Sequence, residues 1–389
     1  MKKEEILSYH KGGKIEVNIK KPLNNQRQLS ISYTPGVADV ALEIKKDASK
    51  VFDYTIKSNT VAIVTDGSRV LGLGNIGAKA AIPIMEGKAM LFKKLGDVDA
   101  FPICINTQRS DEFISIVKNI SPIFGGINLE DIEAPKCFEI EETLSNELDI
   151  PVFHDDQYGT ATVVLAALIN ACKVVNKRFS DVKIVINGAG AAGLSIAKLL
   201  ACIDINKKIC EPVAEIIVCD TRGALYKDRS DMNKYKSKIA ELTNKHMHKG
   251  PLDSAIKDAD VFIGVSTGNI IKKHHIESMA KNPIIFACAN PVPEIEPDDA
   301  IKFGAALVGT GRSNYKNQIN NVLAFPGIFR GALDAKAKRI TKEMVLSAAC
   351  AIADYIKNPT KDKIVPDPLD KKLHMRVAKV IKQTALSHK

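Results

Sequence analysis

Residues 183–193 read Lys-Ile-Val-Ile-Asn-Gly-Ala-Gly-Ala-Ala-Gly. An apolar run suited to a buried strand leads into Gly188-x-Gly190-x-x-Gly193, and a helix is expected over 194–200. Strand, glycine turn and helix in this order predict the phosphate-binding βα turn of a doubly wound dinucleotide domain. Gly188 permits the tight turn, Gly190, reached through Ala189, lets the backbone approach a pyrophosphate, and Gly193 lets helix and strand pack closely. The helix N-terminus then offers free N–H donors and a positive dipole end to the phosphates. A second strand over 215–219 ends in Asp220, placed to accept from ribose hydroxyls, which favours NAD. Arg222, two residues on, can instead meet a 2′-phosphate, so NADP stays open. A polar insert at 204–211 lengthens the connection between the helix and this strand.

Outward from this turn the text keeps alternating. Buried-strand strings stand at 61–64, 100–105, 126–129 and 150–153 on one side, and at 259–265, 283–287 and 306–308 on the other. Helical stretches lie between them, at 78–91, 113–120 and 160–175, so the fold class is α/β in two lobes. The expected division is an N-terminal α/β substrate and metal domain, 1–157, and a Rossmann-type doubly wound domain, 158–324. After Pro326 the pattern is purely helical, and residues 325–389 are expected to return to the first lobe.

Composition removes several classes of function. The 389 residues carry 55 Lys and Arg against 45 Asp and Glu, a net charge of +10. The basic residues come as scattered pairs such as Lys45-Lys46, Lys93-Lys94 and Lys272-Lys273, which suits small anions more than a nucleic-acid footprint. Trp is absent and aromatic residues are 5%, too few for a stacking surface for single strands. The longest uninterrupted apolar stretch, 163–169, is far too short to span a bilayer. The start, Met-Lys-Lys-Glu-Glu, has no apolar signal region. The eight Cys include no C-x-x-C pair, and most sit in apolar strings as buried, inert thiols. The expectation is a reducing, cytoplasmic setting.

The first lobe carries acids at strand ends, Glu130-Asp131 after one strand and Asp155-Asp156 after another. Strand ends on one sheet edge open into one crevice, so these oxygens can converge and suit a hard divalent cation, Mg²⁺ or Mn²⁺. Helix capping or solvated turns are the competing explanation. Ser32-Tyr33-Thr34-Pro35-Gly36-Val37 puts a phenol in a Pro-Gly turn that no amphipathic pattern explains. Lys88 lies in Glu86-Gly87-Lys88-Ala89, inside an otherwise apolar helix. It either snorkels or is held for chemistry, with burial lowering its pKa toward neutrality.

Together these strings resemble the malic enzymes of the short bacterial type. The matching pieces are Ser32 to Val37, the run 66–77 (Asp-Gly-Ser-Arg-Val-Leu-Gly-Leu-Gly-Asn-Ile-Gly), and Met85-Glu86-Gly87-Lys88-Ala89. Asn128-Leu129-Glu130-Asp131, the run 154–161 (His-Asp-Asp-Gln-Tyr-Gly-Thr-Ala), Ala289-Asn290-Pro291 and the run 320–327 follow in the family's order. The resemblance implies oxidative decarboxylation of L-malate to pyruvate and CO2 with NAD or NADP and a divalent metal, in a homodimer. It implies Glu130, Asp131 and Asp156 as metal ligands and Lys88 as the base at the C2 hydroxyl, paired with Asp155. Tyr33 would be the acid that protonates C3. Asn290 and Asn321 match positions that contact substrate or nicotinamide, and Arg69 matches a carboxylate-binding Arg of the larger eukaryotic enzymes. Two readings compete: a two-lobed amino-acid dehydrogenase, which needs no metal, and a non-catalytic nucleotide sensor, which needs neither Lys88 nor Tyr33.

Overall fold

The computed structural model describes residues 2–70 and 72–387. Leu71 of the quoted 66–77 run, Met1 and the last two residues of the C-terminal segment lie outside them.

Ten strands form two sheets among the described residues. In the first, β1 (Thr60–Thr65), β2 (Asp99–Cys104), β3 (Gly126–Leu129) and β4 (Val152–His154) run parallel in the order β2-β1-β3-β4. All six residues of β1 are buried, as expected of a strand covered by helices on both faces. The second sheet contains β5 (Lys183–Asn187), β6 (Glu215–Asp220), β7 (Gly223–Ala224), β8 (Val261–Gly264), β9 (Ile284–Ala287) and β10 (Leu307–Thr310). Its order is β10-β9-β8-β5-β6-β7, parallel except for β7, which is antiparallel to β6. This is a Rossmann-type doubly wound sheet, and its order reverses at β5. A crevice therefore opens at the carboxyl ends of β5, β6 and β8, beside the glycine turn.

The last helices lie against the first sheet's layer. Phe325 and Phe329 of the helix Phe325–Asp334 pack on Phe92 of the helix Gly77–Gly96, with ring centroids 4.7 and 5.3 Å apart. Pro326 opens that helix instead of preceding it, because the first turn has no use for the amide N–H that proline lacks. The helix Thr160–Val175 joins the two sheets, and Asn170 donates to the carbonyls of Ala353 and Ile364.

Two expectations are corrected here. With the turn before it, this helix forms a span, Asp155–Val175, that is long and apolar enough by composition to cross a membrane. Its polar interruptions hid that length, but 72% of its apolar window is buried inside the molecule. The cysteines are not all thiols, since Cys202 and Cys210 form a disulfide. Their spacing gave no signal, because the polar insert between them doubles back. The helices Lys3–His10, Gln26–Ser32 and Val37–Lys46 bury no residue at all.

Candidate active site

A cleft of about 480 Å³ lies between the two sheets, lined among others by Arg69, Glu130, Asp131, Asp156, Gly190, Asn290 and Asn321. Its first wall follows from strand register. β1 and β3 are neighbours, so Asp66 after one and Glu130 after the other emerge on the same sheet edge, and β4 adds Asp155 and Asp156.

Lys88 enters from the helix Gly77–Gly96, whose buried positions include Ala81, Met85, Lys88 and Phe92. That helical period places the lysine on the core face. Its Nζ donates to Glu130 Oε1 at 2.7 Å and to Asp155 Oδ2, and stands 4.3 Å from the centre of the Phe325 ring. Burial opposes the charge, but Asp155 and Glu130 together outweigh it and hold the lysine's pKa above its ordinary value. The expectation of a lowered pKa is thus overturned, because two carboxylates converge on a group that burial alone would neutralise. Asp155 pairs with it under opposite pressure. Burial pushes its carboxyl up to about 7, against the pull of Lys88.

Asp155 is also held by Asn321 Nδ2. A Cβ on Gly159 would fall 1.8 Å from Asp155 Oδ1, so glycine is required where the chain turns into the next helix. Glu130 is steadied by Asn128 Nδ2 at 2.9 Å, and Asp156 Oδ2 accepts the Asp131 backbone N–H at 2.9 Å. Oxygens of Glu130, Asp131 and Asp156 lie within 4.8 Å of one another. Burial, then the nearby Asp155 charge, brings Asp156 up to about 6. Burial also raises Glu130, with Asp156 adding to it. Crowded like charges of this kind fit a divalent cation. Asp253, His274 and His275 also cluster, yet Lys272 N–H already occupies His275 Nδ1, which puts the ring proton on Nε2 facing Asp253. That group is closed to a metal as it stands.

The second wall is the glycine turn. Gly188 has φ +126°, and a Cβ there would lie 2.7 Å from the Val265 carbonyl oxygen. A Cβ on Gly193 would lie 1.7 Å from Gly188 O, so helix and strand close only without one. Gly190 has nothing within 4 Å of its Cβ position and caps the N-terminus of the helix Ala191–Leu200, leaving room for a phosphate against free N–H groups. Ala189 sits between them, half-buried. Above the turn, Asn187 Nδ2 donates to Ser266 Oγ. Glu294 ties two loops of this wall by accepting from Ser266 N and Ala289 N, next to Asn290.

Two candidates lie elsewhere. Tyr33 caps the helix Gln26–Ser32, is 69% exposed, and does not line the cleft. Asp220 ends β6 as expected, but it is not free: Arg229 and Lys236 both bind its carboxylate, and Arg222 contributes its backbone N–H. Glu294, Arg229 and Lys236 were not singled out from the sequence, and Asn128 only as part of the string Asn128 to Asp131. A Glu close after Asn290-Pro291 was the available signal for Glu294, and Arg229 and Lys236 have none before the chain is folded.

A glycine-turn sheet facing a lysine and a carboxylate cluster across one cleft defines a two-lobed, dinucleotide-dependent oxidoreductase. Residues 12–145 match the family model "Malic enzyme, N-terminal domain", and residues 157–385 match "Malic enzyme, NAD binding domain". The bifunctional malic/malolactic enzyme of Bacillus subtilis (strain 168) is 51% identical over 389 residues, covering 99% of this chain and 93% of its own. The NAD-dependent malic enzyme of Geobacillus stearothermophilus is 51% identical over 378 residues, covering 97% and 77%. The crystal structure of the malic enzyme from Pyrococcus horikoshii OT3 superposes with a TM-score of 0.93 at 47% identity, covering 99% of this chain and 90% of that one. The chain belongs to the malic enzyme family, whose members are oxidoreductases using a nicotinamide cofactor.

Proposed function

We propose that this chain converts L-malate to pyruvate and CO2 with reduction of NAD or NADP, helped by Mg²⁺ or Mn²⁺, and that it also decarboxylates oxaloacetate. The observation that carries this reading is Glu130, whose carboxylate touches Lys88 while belonging to the three-acid group. One residue thus joins a proton carrier to a cation site, as oxidation next to a departing carboxylate requires.

Glu130, Asp131 and Asp156 would hold the cation, and the glycine turn would hold the dinucleotide. Bound there, the cation would supply Lewis acidity and the nicotinamide a hydride acceptor. Lys88 Nζ takes the C2 hydroxyl proton. For that it must first be neutral, and Asp155, in direct contact, is the group within reach of the lysine's proton. Asn321 holds Asp155 in register. Arg69 and Asn290, on facing sides of the cleft, bind the substrate carboxylates and the nicotinamide end.

Tyr33 protonates C3 after CO2 leaves, and it would do so from a second copy of the chain. The first fifty residues leave Val17, Ile19, Ile31 and Leu42 exposed by 86, 74, 61 and 53%. An apolar arm of this size is characteristic of an interface. In a homodimer it would lie on the other copy and carry Tyr33 to that copy's cleft. The setting proposed is cytoplasmic.

Malate-dependent absorbance of the reduced cofactor, with Mn²⁺ or with chelator, tests the reaction, and activity that survives complete metal removal would sink it. Mixing Tyr33→Phe with Lys88→Ala after dissociation tests the arm. Activity returns only if Tyr33 serves the other copy, and a mixture as dead as its components excludes it.

A further inference from the structure

Glu294 stands fully buried behind the second wall of the cleft. No Lys, Arg or His among the described residues pairs with its carboxylate, which is held by backbone alone. Oε1 accepts from Ser266 N at 3.1 Å and Oε2 from Ala289 N at 3.0 Å. A carboxylate buried without a cation is costly, and these bonds offset the cost only in part, since burial still pushes the group up to about 7. Packing alone does not account for such a residue. Room for it comes from Gly264, the last residue of β8, where a Cβ would lie 2.2 Å from Glu294 Cδ.

The two amides it holds belong to the segments that leave β8 and β9. Val265, Ser266, Cys288, Ala289 and Asn290 all line the cleft. A trans peptide points its N–H and its C=O in opposite directions. Holding the Ser266 N–H therefore turns the Val265 carbonyl toward the glycine turn, where its oxygen lies 2.7 Å from the Cβ position of Gly188. Holding the Ala289 N–H turns the Cys288 carbonyl away from Glu294, and Asn290 Nδ2 donates to that carbonyl at 3.3 Å. Gly311, just after β10, backs the same amide, since a Cβ there would lie 2.6 Å from Asn290 Nδ2. One carboxylate thus sets two peptide planes and, through the second, the Asn290 amide. The N–H groups at Gly190 and Ala191, where a phosphate has room, take no part in these bonds.

We infer that Glu294 is a positioning residue for the nicotinamide half of the cofactor, acting through the Val265–Ser266 and Cys288–Ala289 peptides and Asn290 without touching the ligand. The inference rests on the glycine turn being a dinucleotide site with Asn290 at its nicotinamide end. A glutamine at this position accepts from one of the two N–H groups and turns its own N–H donors on the other, which leaves a buried donor unpaired and that peptide free to rotate.

The test uses the purified protein without malate and reads binding by calorimetry. The ligands are NADH and NADPH, each set against its counterpart lacking nicotinamide, ADP-ribose and ADP-ribose 2′-phosphate. The comparison is made within the pair whose dinucleotide binds more tightly. Glu294→Gln should weaken the dinucleotide about tenfold, as one unpaired buried donor costs, and leave the counterpart within about twofold. Gly264→Ala, which crowds an intact Glu294 from the β8 side, should show the same pattern. A residue serving stability alone would not separate the two ligands. If the variants weaken both ligands alike, or neither, the inference is overturned while the dinucleotide site stands. If the unaltered protein binds no nucleotide, the glycine-turn site itself is refuted, and the inference with it.

Discussion

Lys88 meets Asp155 across 67 residues of sequence, an ammonium from the middle of a helix pressed against a carboxylate at the end of β4, both buried. The contact joins an ammonium that two carboxylates hold charged to an acid that burial pushes up to about 7, so the resting pair keeps its proton on Lys88. Lys88→Met keeps the apolar stem and removes the proton carrier. The rate of malate oxidation is expected to fall at least about 100-fold, as loss of a general base does. Nucleotide binding at the glycine turn, measured by calorimetry, should stay within about twofold, since the contacts there supply it. Loss of both would make Lys88 a structural residue only.

The three-acid group leads to a stability prediction. A cation that binds the folded chain alone stabilises it by about 2.7 kcal/mol at a hundredfold excess over Kd. Mn²⁺ should therefore raise the melting temperature, and Glu130→Gln or Asp156→Asn should abolish the rise. Ligand carboxylates must be ionised, and burial brings Asp156 up to about 6. The Mn²⁺ effect should consequently shrink as pH falls through 6. A rise in melting temperature that persists in both variants would place the metal elsewhere.

Much of this was legible before folding, for a physical reason. Short apolar runs bounded by turn residues suit strands buried on both faces, and glycines spaced as Gly188, Gly190 and Gly193 answer a steric demand, visible here as a Cβ position 1.7 Å from a carbonyl oxygen. Lys88 was legible too, because a helical period carries it to the core face. What a linear reading misses is which charges meet. The direction of the Lys88 shift depends on Glu130 and Asp155, 42 and 67 residues away, and Asp155 in turn on Asn321, 166 residues away. Asp220 looked free because Lys236, sixteen residues on, returns to it only once β6 and the helix Lys234–Leu242 have packed. Tyr33 was singled out by residue type, but no pattern in one chain says which cleft it enters.

Glu294 supplies a pH dependence away from the acids. It is fully buried, accepts two backbone N–H groups, and burial pushes its carboxyl up to about 7 despite them. A folded-state pKa raised above the unfolded one gives stability that is fully present below the unfolded value of 4.5 and is lost as pH rises through 7. The loss amounts to about 3 kcal/mol. Glu294→Gln does not titrate. Urea midpoints should therefore show the wild-type advantage over the variant narrowing between pH 5 and pH 7.5 by roughly that amount. A difference that does not change with pH would mean that Glu294 is ionised throughout.

The Cys202–Cys210 disulfide closes the turn that follows the phosphate-binding helix, where Cys202 and Asp204 both take left-handed backbone angles, φ 54° and 58°. The carbonyl of Leu200, the last residue of that helix, accepts the N–H of Val213 at 3.2 Å, so the covalent link and the backbone bond fasten the same loop. Cys104, Cys137, Cys172, Cys219, Cys288 and Cys350 remain thiols. Denatured without reductant, the protein should titrate six thiols, and eight after reduction. Closing so short a loop restricts the unfolded chain by about 2–3 kcal/mol, and Cys202→Ser with Cys210→Ser should lower the unfolding free energy by that much. Malate oxidation at saturating cofactor should be unaffected, because neither residue lines the cleft. Eight thiols before reduction would show that the two cysteines meet without bonding, and the loop would then owe its shape to the backbone alone.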